Sequence, residues 1–240
     1  MFLITEKKNH KTGKTGVIKG IKAAIPIAIG YIPIAIAFGV ISVQSGISLI
    51  QATSMSLMVF AGASQFMAAG MIGSGVGASE IILATFILNL RHFIMSMTVM
   101  NRFRTLPKKS TAALAFGVTD ETFAVLSMKE EDGDLQEEKF FAASLILTSY
   151  ASWVIGTIIG GIFVDFIPQS ISASMSVGLY AMFIGLLVPA VRKSWRTGII
   201  SVTGMVLCWI FSRFMDTGWA IVLATILAAL IGVGKNEQSK

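Results

Sequence analysis

Apolar residues along this chain run in long blocks separated by short polar clusters. Predominantly apolar stretches fall near residues 21–43, 49–73, 80–100, 110–128, 140–164, 174–191, 197–212 and 217–233. Between Lys22 and Glu80 there is no charged side chain, a run far longer than the ~20 apolar residues one bilayer crossing needs. More than one element must lie in lipid. The pattern predicts an all-α, polytopic transmembrane helix bundle.

Sidedness follows from where the basic residues sit. Lys7, Lys8, Lys11, Lys14, Lys19 and Lys22 crowd the amino terminus, and Arg102, Arg104, Lys108 and Lys109 share one loop. The positive-inside rule places both in the cytoplasm, so an even number of full crossings separates them. Three apolar stretches lie between, so one must enter and leave by the same face. The stretch 49–73 is the candidate: Gly62, Gly70 and Gly73 weaken it, and Phe60-Ala61-Gly62-Ala63-Ser64-Gln65 is small and polar. Two half-helices with a break near Gly62 are predicted. Bare backbone at that depth requires protein or water around it, and a continuous helix packed through its small residues is the other reading.

Beyond the basic loop, the pattern predicts one helix at 110–128 leading outward to the acidic run Glu130, Glu131, Asp132, Asp134, Glu137 and Glu138. The helix at 140–164 then returns inward. Arg192, Lys193 and Arg196 are again expected inside, which requires 174–191 to be re-entrant as well. Residues 20–234 would then form one transmembrane domain of two inverted halves, 20–128 and 139–234, a common transporter plan. A cytoplasmic tail (1–19) and a short carboxyl-terminal tail (235–240) flank it. Ser54-Met55-Ser56 and Ser174-Met175-Ser176 are a faint echo between the halves. Pro26 and Pro33 are expected to kink the first helix, and Pro189 to bend or end the sixth stretch.

Composition agrees and excludes several classes. Hydrophobic residues are 54% of the 240 and charged residues 13%, against the roughly 25% charged of a soluble domain. The single cysteine, Cys208, excludes an internal disulfide, and two histidines with one cysteine are too few for a Cys/His metal site. No cofactor is expected. The basic tail has no interleaved aromatics to stack on bases, so it suits an anionic membrane surface and not nucleic acid. A secretory signal fits poorly, since the apolar stretch after the tail is too long.

Candidate chemistry lies where polar groups interrupt apolar helices. Arg91, Asp120 and Glu121 would each cost on the order of 3 kcal/mol at a helix centre, so they must be paired or wetted. Arg91 lies about ten residues before the basic loop and Asp120 about ten after it. In an antiparallel hairpin both reach ~15 Å of depth, level with the break at Gly62. One arginine facing two carboxylates predicts a pair between Arg91 and Asp120 or Glu121. The spare carboxyl, with His92, is then free to carry a proton or meet an ammonium group. The bland reading is an ion pair that only fixes helix register. Asn89, His92 and Ser96 share one helix face by spacing. A helix starting after Gly62 would aim free N–H groups at an anion, with Ser64 and Gln65 beside them.

Three motifs, Phe60-Ala61-Gly62-Ala63-Ser64-Gln65-Phe66, Asn89-Leu90-Arg91-His92 and Thr119-Asp120-Glu121-Thr122-Phe123, in this order and spacing, resemble the AzlC family. The likeness runs from about Pro26 to Pro189, includes Trp153, Gly156 and Gly160, and fades afterwards. It implies a multi-pass protein of the bacterial inner membrane that exports valine, leucine, isoleucine and methionine, with coupling to a proton gradient expected. It also implies a small hydrophobic AzlD-like membrane subunit as partner. A zwitterion needs one cationic and one anionic contact, and the midplane residues offer both. A passive channel, a carrier for another small zwitterion and an intramembrane enzyme are the rival functions. The last finds no His-Glu-x-x-His pattern in the sequence.

Overall fold

The fold is that of a computed structural model, which describes residues 2–129, 135–168, 177, 181, 184–185 and 187–233. These residues form helices joined by short turns, with no strand among them. The long helices are α1 (Phe2–Gln44), α4 (Ala78–Arg102) and α7 (Leu135–Ile162). All three, α1 from Gly13 onward, are long and apolar enough to cross a bilayer. Four short helices form two pairs: α2 (Leu49–Met58) with α3 (Gly62–Gly73), and α5 (Lys108–Phe116) with α6 (Asp120–Met128). After α7 come a 3-10 turn (Val164–Phe166) and the hairpin α8 (Trp195–Phe211) with α9 (Thr217–Val233). The basic segment expected as a tail is helical from Phe2, and Pro26 and Pro33 both lie within α1.

Glycines set the central contact. A Cβ built on Gly16 would lie 2.4 Å from the Glu137 carbonyl oxygen, on Gly20 2.3 Å from that of Phe141, on Gly39 2.3 Å from that of Thr157, and on Gly160 2.0 Å from that of Ile36. Residue numbers rise together on both helices, so α1 and α7 run parallel with their backbones nearly touching. Gly16 with Gly20, and Gly156 with Gly160, have the small-xxx-small spacing that permits such an approach without a hydrophobic driving force in lipid.

The interruption expected near Gly62 is present. Ser48 and Gln51 form a capping box that starts α2. Ten residues later the helix stops, and Phe60 adopts φ +44°, a left-handed conformation that costs a non-glycine residue about 1–2 kcal/mol. It is held there by burial against Tyr31 and Tyr150. A Cβ on Gly73, at the far end of α3, would touch Ser45 at the end of α1. Thus α2 and α3 leave and return at one end of the bundle, and at ~1.5 Å per residue each limb reaches about half the hydrocarbon depth.

The expectation for 110–128 is corrected: it is a second re-entrant hairpin and not one crossing. Thr111 Oγ1 donates to the Phe103 carbonyl (3.2 Å), Ser96 Oγ to that of Ala115 (2.8 Å), and His92 Nδ1 meets that of Val118 at 3.1 Å. So α5 descends along α4 toward mid-depth. Arg102, back at the end of α4, donates to the carbonyls of Leu126 and of Lys129 (2.9 Å), so α6 has returned to the starting level. The turn forms because Gly117 presses on Ile146 where a Cβ would lie 2.2 Å from a methyl. Thr119 is extended and capped by Thr122, and Asp120 and Glu121 occupy the first turn of α6, where the helix dipole favours acids. These stop and start signals outweigh the apolar continuity of the stretch.

Two further expectations change with it. Glu137 and Glu138, the described part of the acidic run, lie at the same end as the basic segments, because Lys19 pairs with Glu137 at 2.7 Å and Arg102 forms a buried pair with Glu138. The helix expected to return inward at 140–164 instead travels in the direction of α1. Within residues 20–128 an inversion appears at a shorter period. A crossing followed by a hairpin, α1 with α2–α3, recurs upside down as α4 with α5–α6. The counterpart interruption expected at 174–191, with Ser174-Met175-Ser176, lies largely outside the described residues.

Candidate functional site

The two hairpins enter from opposite ends, and their tips meet. Phe60, Ala61, Gly62 and Ala63 from one tip and Thr119, Asp120 and Glu121 from the other line one cavity, together with Tyr31 of α1, Arg91 and His92 of α4, and Trp153 of α7. Its volume is about 20 Å³, room for a water molecule. A larger solute enters only if the tips part.

Electrostatics divide the cavity into two unlike halves. Arg91 Nη1 lies 2.8 Å from Asp120 Oδ2, with about a quarter of each side chain exposed. Of the two partners the sequence allowed, Asp120 is the one taken. Glu121 accepts a hydrogen bond through Oε2 from the Tyr31 hydroxyl, which also lies 2.8 Å from Thr119 Oγ1. Glu121 Oε1 is buried and has no partner among the described residues, and neither has His92 Nε2. With Glu121 ionised, one positive and two negative charges leave this half with a surplus carboxylate.

The opposite half is the start of α3. Its N-cap, Ala61, has no side chain able to cap. Gln65 Oε1 accepts from the Ala61 N–H at 3.2 Å, whereas the N–H groups of Gly62, Ala63 and Ser64 have no intrahelical acceptor by the geometry of any α-helix. Aligned peptide dipoles make such a turn attractive to an anion. Both tips thus end in a helix N-terminus, but α6 carries its own carboxylates there and α3 carries none.

Several expected site residues play other parts. The side chains of Gln65 and Ser64 are each 1% exposed and do not line the cavity. Gln65 Oε1 also accepts from Trp153 Nε1 (3.1 Å), its Nε2 donates to Ser56 Oγ (3.0 Å), and Ser56 meets Thr157 at 2.8 Å. Its amide is consumed in clamping the α2–α3 tip onto α7. Ser64 Oγ donates to the Ala61 carbonyl at 2.9 Å. Asn89 does not reach the cavity either. His92 and Ser96 do share a face, which binds the descending limb α5.

Tyr31, Phe60 and Trp153 were not among the expected site residues. The aromatic rings form a wall, with Tyr31 5.3 Å from Trp153 and 6.3 Å from Phe60 between centroids. Trp153 presses so closely on Gly62 that a Cβ there would lie 2.6 Å from the ring. A scan for costly charges passes over a neutral hydroxyl. The available signal for Tyr31 was its place as a lone polar-tipped side chain between Pro26 and Pro33, since a buried tyrosine hydroxyl in lipid needs a partner. No group of side chains able to hold a metal ion occurs among the described residues.

Comparison with known proteins follows the same residues. The family model for AzlC protein matches residues 26–167, the span that carries both hairpins and α7. The chain is 30% identical over 185 residues to the inner membrane protein YgaZ of Escherichia coli, covering 75% of this chain and 76% of that one. It is 26% identical over 206 residues to the branched-chain amino acid transport protein AzlC of Bacillus subtilis, covering 86% and 79%. An uncharacterized membrane protein of Archaeoglobus fulgidus is 31% identical over 225 residues, covering 92% and 97%. No solved structure matches.

Proposed function

The chain belongs to the AzlC family of membrane transport proteins, and from that premise we propose that it exports branched-chain amino acids through the site between the hairpin tips. Valine, leucine and isoleucine are the proposed substrates, with methionine as a further one. The observation that carries this reading is the unlike pair of half-sites: a surplus carboxylate at Glu121 faces a bare helix start at Gly62–Ser64. An amino acid zwitterion matches both, its ammonium at Glu121 Oε1 and its carboxylate at the N–H groups of α3. Asp120 holds Arg91 in place. The aromatic wall of Tyr31, Phe60 and Trp153 supplies an apolar surface for a branched side chain.

Sidedness rests on charge. Arg102, Arg104, Lys108, Lys109 and the lysines of α1 share one end, whereas of the turns 45–48, 74–77, 163–168 and 212–216 at the other only the last carries a basic residue, Arg213. The first end is proposed to face the cytoplasm. A small AzlD-like subunit is proposed as partner, along the exposed face of α4. Phe86, Leu90, Phe93, Met97 and Met100 recur there at alternating steps of four and three, the spacing of a helix-pairing seam.

Counterflow in reconstituted vesicles tests the reading. Vesicles preloaded with unlabelled leucine should take up labelled leucine saturably, and Glu121→Gln and Asp120→Asn should each reduce the rate by about tenfold or more, the worth of a charge-assisted hydrogen bond. Undiminished counterflow in both variants would remove these carboxyls from the mechanism. Unsaturable conductance would mark a channel instead.

A further inference from the structure

Tyr31 touches both hairpin tips from a helix that belongs to neither. Its hydroxyl reaches Glu121 and Thr119 at the α6 start, its ring packs edge-on against Phe60 at the α2–α3 tip, and it is 4% exposed. Building on the zwitterion site proposed above, the same carboxyl must pass between two conditions in every cycle. With substrate bound, an ammonium group supplies up to three donors to it. After release that donor is gone, and Glu121 must travel back in a cavity that holds little more than one water.

We propose that Tyr31 is the positioning residue that lets the unloaded carrier reorient, by holding the Glu121 carboxyl whenever no ammonium does. The hydroxyl is suited to this because it donates to a carboxylate and equally accepts from a carboxylic acid. It therefore serves a return step made with or without a proton on Glu121. Leaving a buried carboxyl without its partner disfavours the conformations that bury it most. Of the other groups facing Glu121, Arg91 is engaged with Asp120, and His92, with Nδ1 turned to the Val118 carbonyl, makes no hydrogen bond to the carboxyl.

Tyr31→Phe keeps the ring packing and removes only the hydroxyl. Leucine–leucine exchange, in which the carrier always crosses loaded, should fall several-fold less than net efflux does. Net leucine efflux, which needs the unloaded return, should fall by roughly tenfold or more, the factor expected for a hydrogen bond to a charged group. In a Glu121→Gln background Tyr31→Phe should change neither flux further. Exchange and net efflux falling in proportion, or both staying intact, would overturn the proposal.

A second readout does not depend on which solute is carried. In Cys208→Ser protein without substrate, a single Ala63→Cys in the cavity wall should react with a membrane-impermeant maleimide from both faces of sealed vesicles. Adding Tyr31→Phe should leave reaction from one face only. Equal two-sided labelling with and without the hydroxyl would refute the role, even if leucine proved not to be the substrate.

Discussion

Substituting Gly160 by alanine tests the packing on which the whole arrangement hangs. The new Cβ would sit 2.0 Å from the Ile36 carbonyl oxygen and 2.8 Å from its carbonyl carbon. An unstrained contact begins at 3.4 Å, so α7 must withdraw from α1 by more than 1 Å at that level. Both obstacles are backbone, so no rotamer change relieves them. Overfilling a packed site costs about 1–3 kcal/mol, and rigid obstacles put this case at the upper end, about 3 kcal/mol. Gly30 on α1 is the control, since a Cβ there meets nothing within 4 Å and alanine is worth up to about 1 kcal/mol over glycine in a helix. Unfolding in mixed micelles, followed by tryptophan fluorescence, should place Gly160→Ala below and Gly30→Ala level with or above the unaltered protein. Equal stability of the two variants would mean that α7 does not lie on α1 in this parallel register.

Two further outcomes follow from the site and its supports. Gly62→Ala should lower leucine counterflow by about tenfold, because Trp153 is pinned by its bond to Gln65 and cannot yield to the new methyl without the ~1–3 kcal/mol cost of overpacking; Trp153→Phe in the same protein should restore part of the rate, and no restoration would disprove the contact. Arg102→Ala should destabilise the protein by about 3–5 kcal/mol, since it strands the buried carboxylate of Glu138. Thermal aggregation of detergent-solubilised protein should show Glu138→Ala adding little in that background, and fully additive losses would argue against the pair.

Much of the site was legible because charge in lipid is expensive. Arg91, Asp120 and Glu121 had to meet something, and helix rise alone put Arg91 and Asp120 at one depth beside Gly62. The first hairpin was legible from basic-loop parity joined to a small-residue break. The second was missed because parity was then spent on a crossing at 110–128, although Gly117 followed by Thr119-Asp120-Glu121-Thr122 is a helix stop and start signal. Parallel pairing of α1 with α7 was not legible either. Gly16, Gly20, Gly156 and Gly160 announce close packing, but a spacing of four carries no direction. The part Gln65 plays was not legible for a related reason: polarity marked it as a candidate for the site, and the sequence does not show its amide bonding Ala61, Ser56 and Trp153.

Two re-entrant tips meeting from opposite faces is the central claim, and the α5–α6 hairpin is its least expected part. Single cysteines introduced as Lys108→Cys and Ser127→Cys in Cys208→Ser protein bracket that hairpin, and both positions are exposed. Labelled with an impermeant thiol reagent in vesicles of known orientation, both should react from the same face as a cysteine placed at Lys14. Reaction of Lys108→Cys and Ser127→Cys from opposite faces would make the segment a crossing and take Glu121 away from Tyr31 and Gly62.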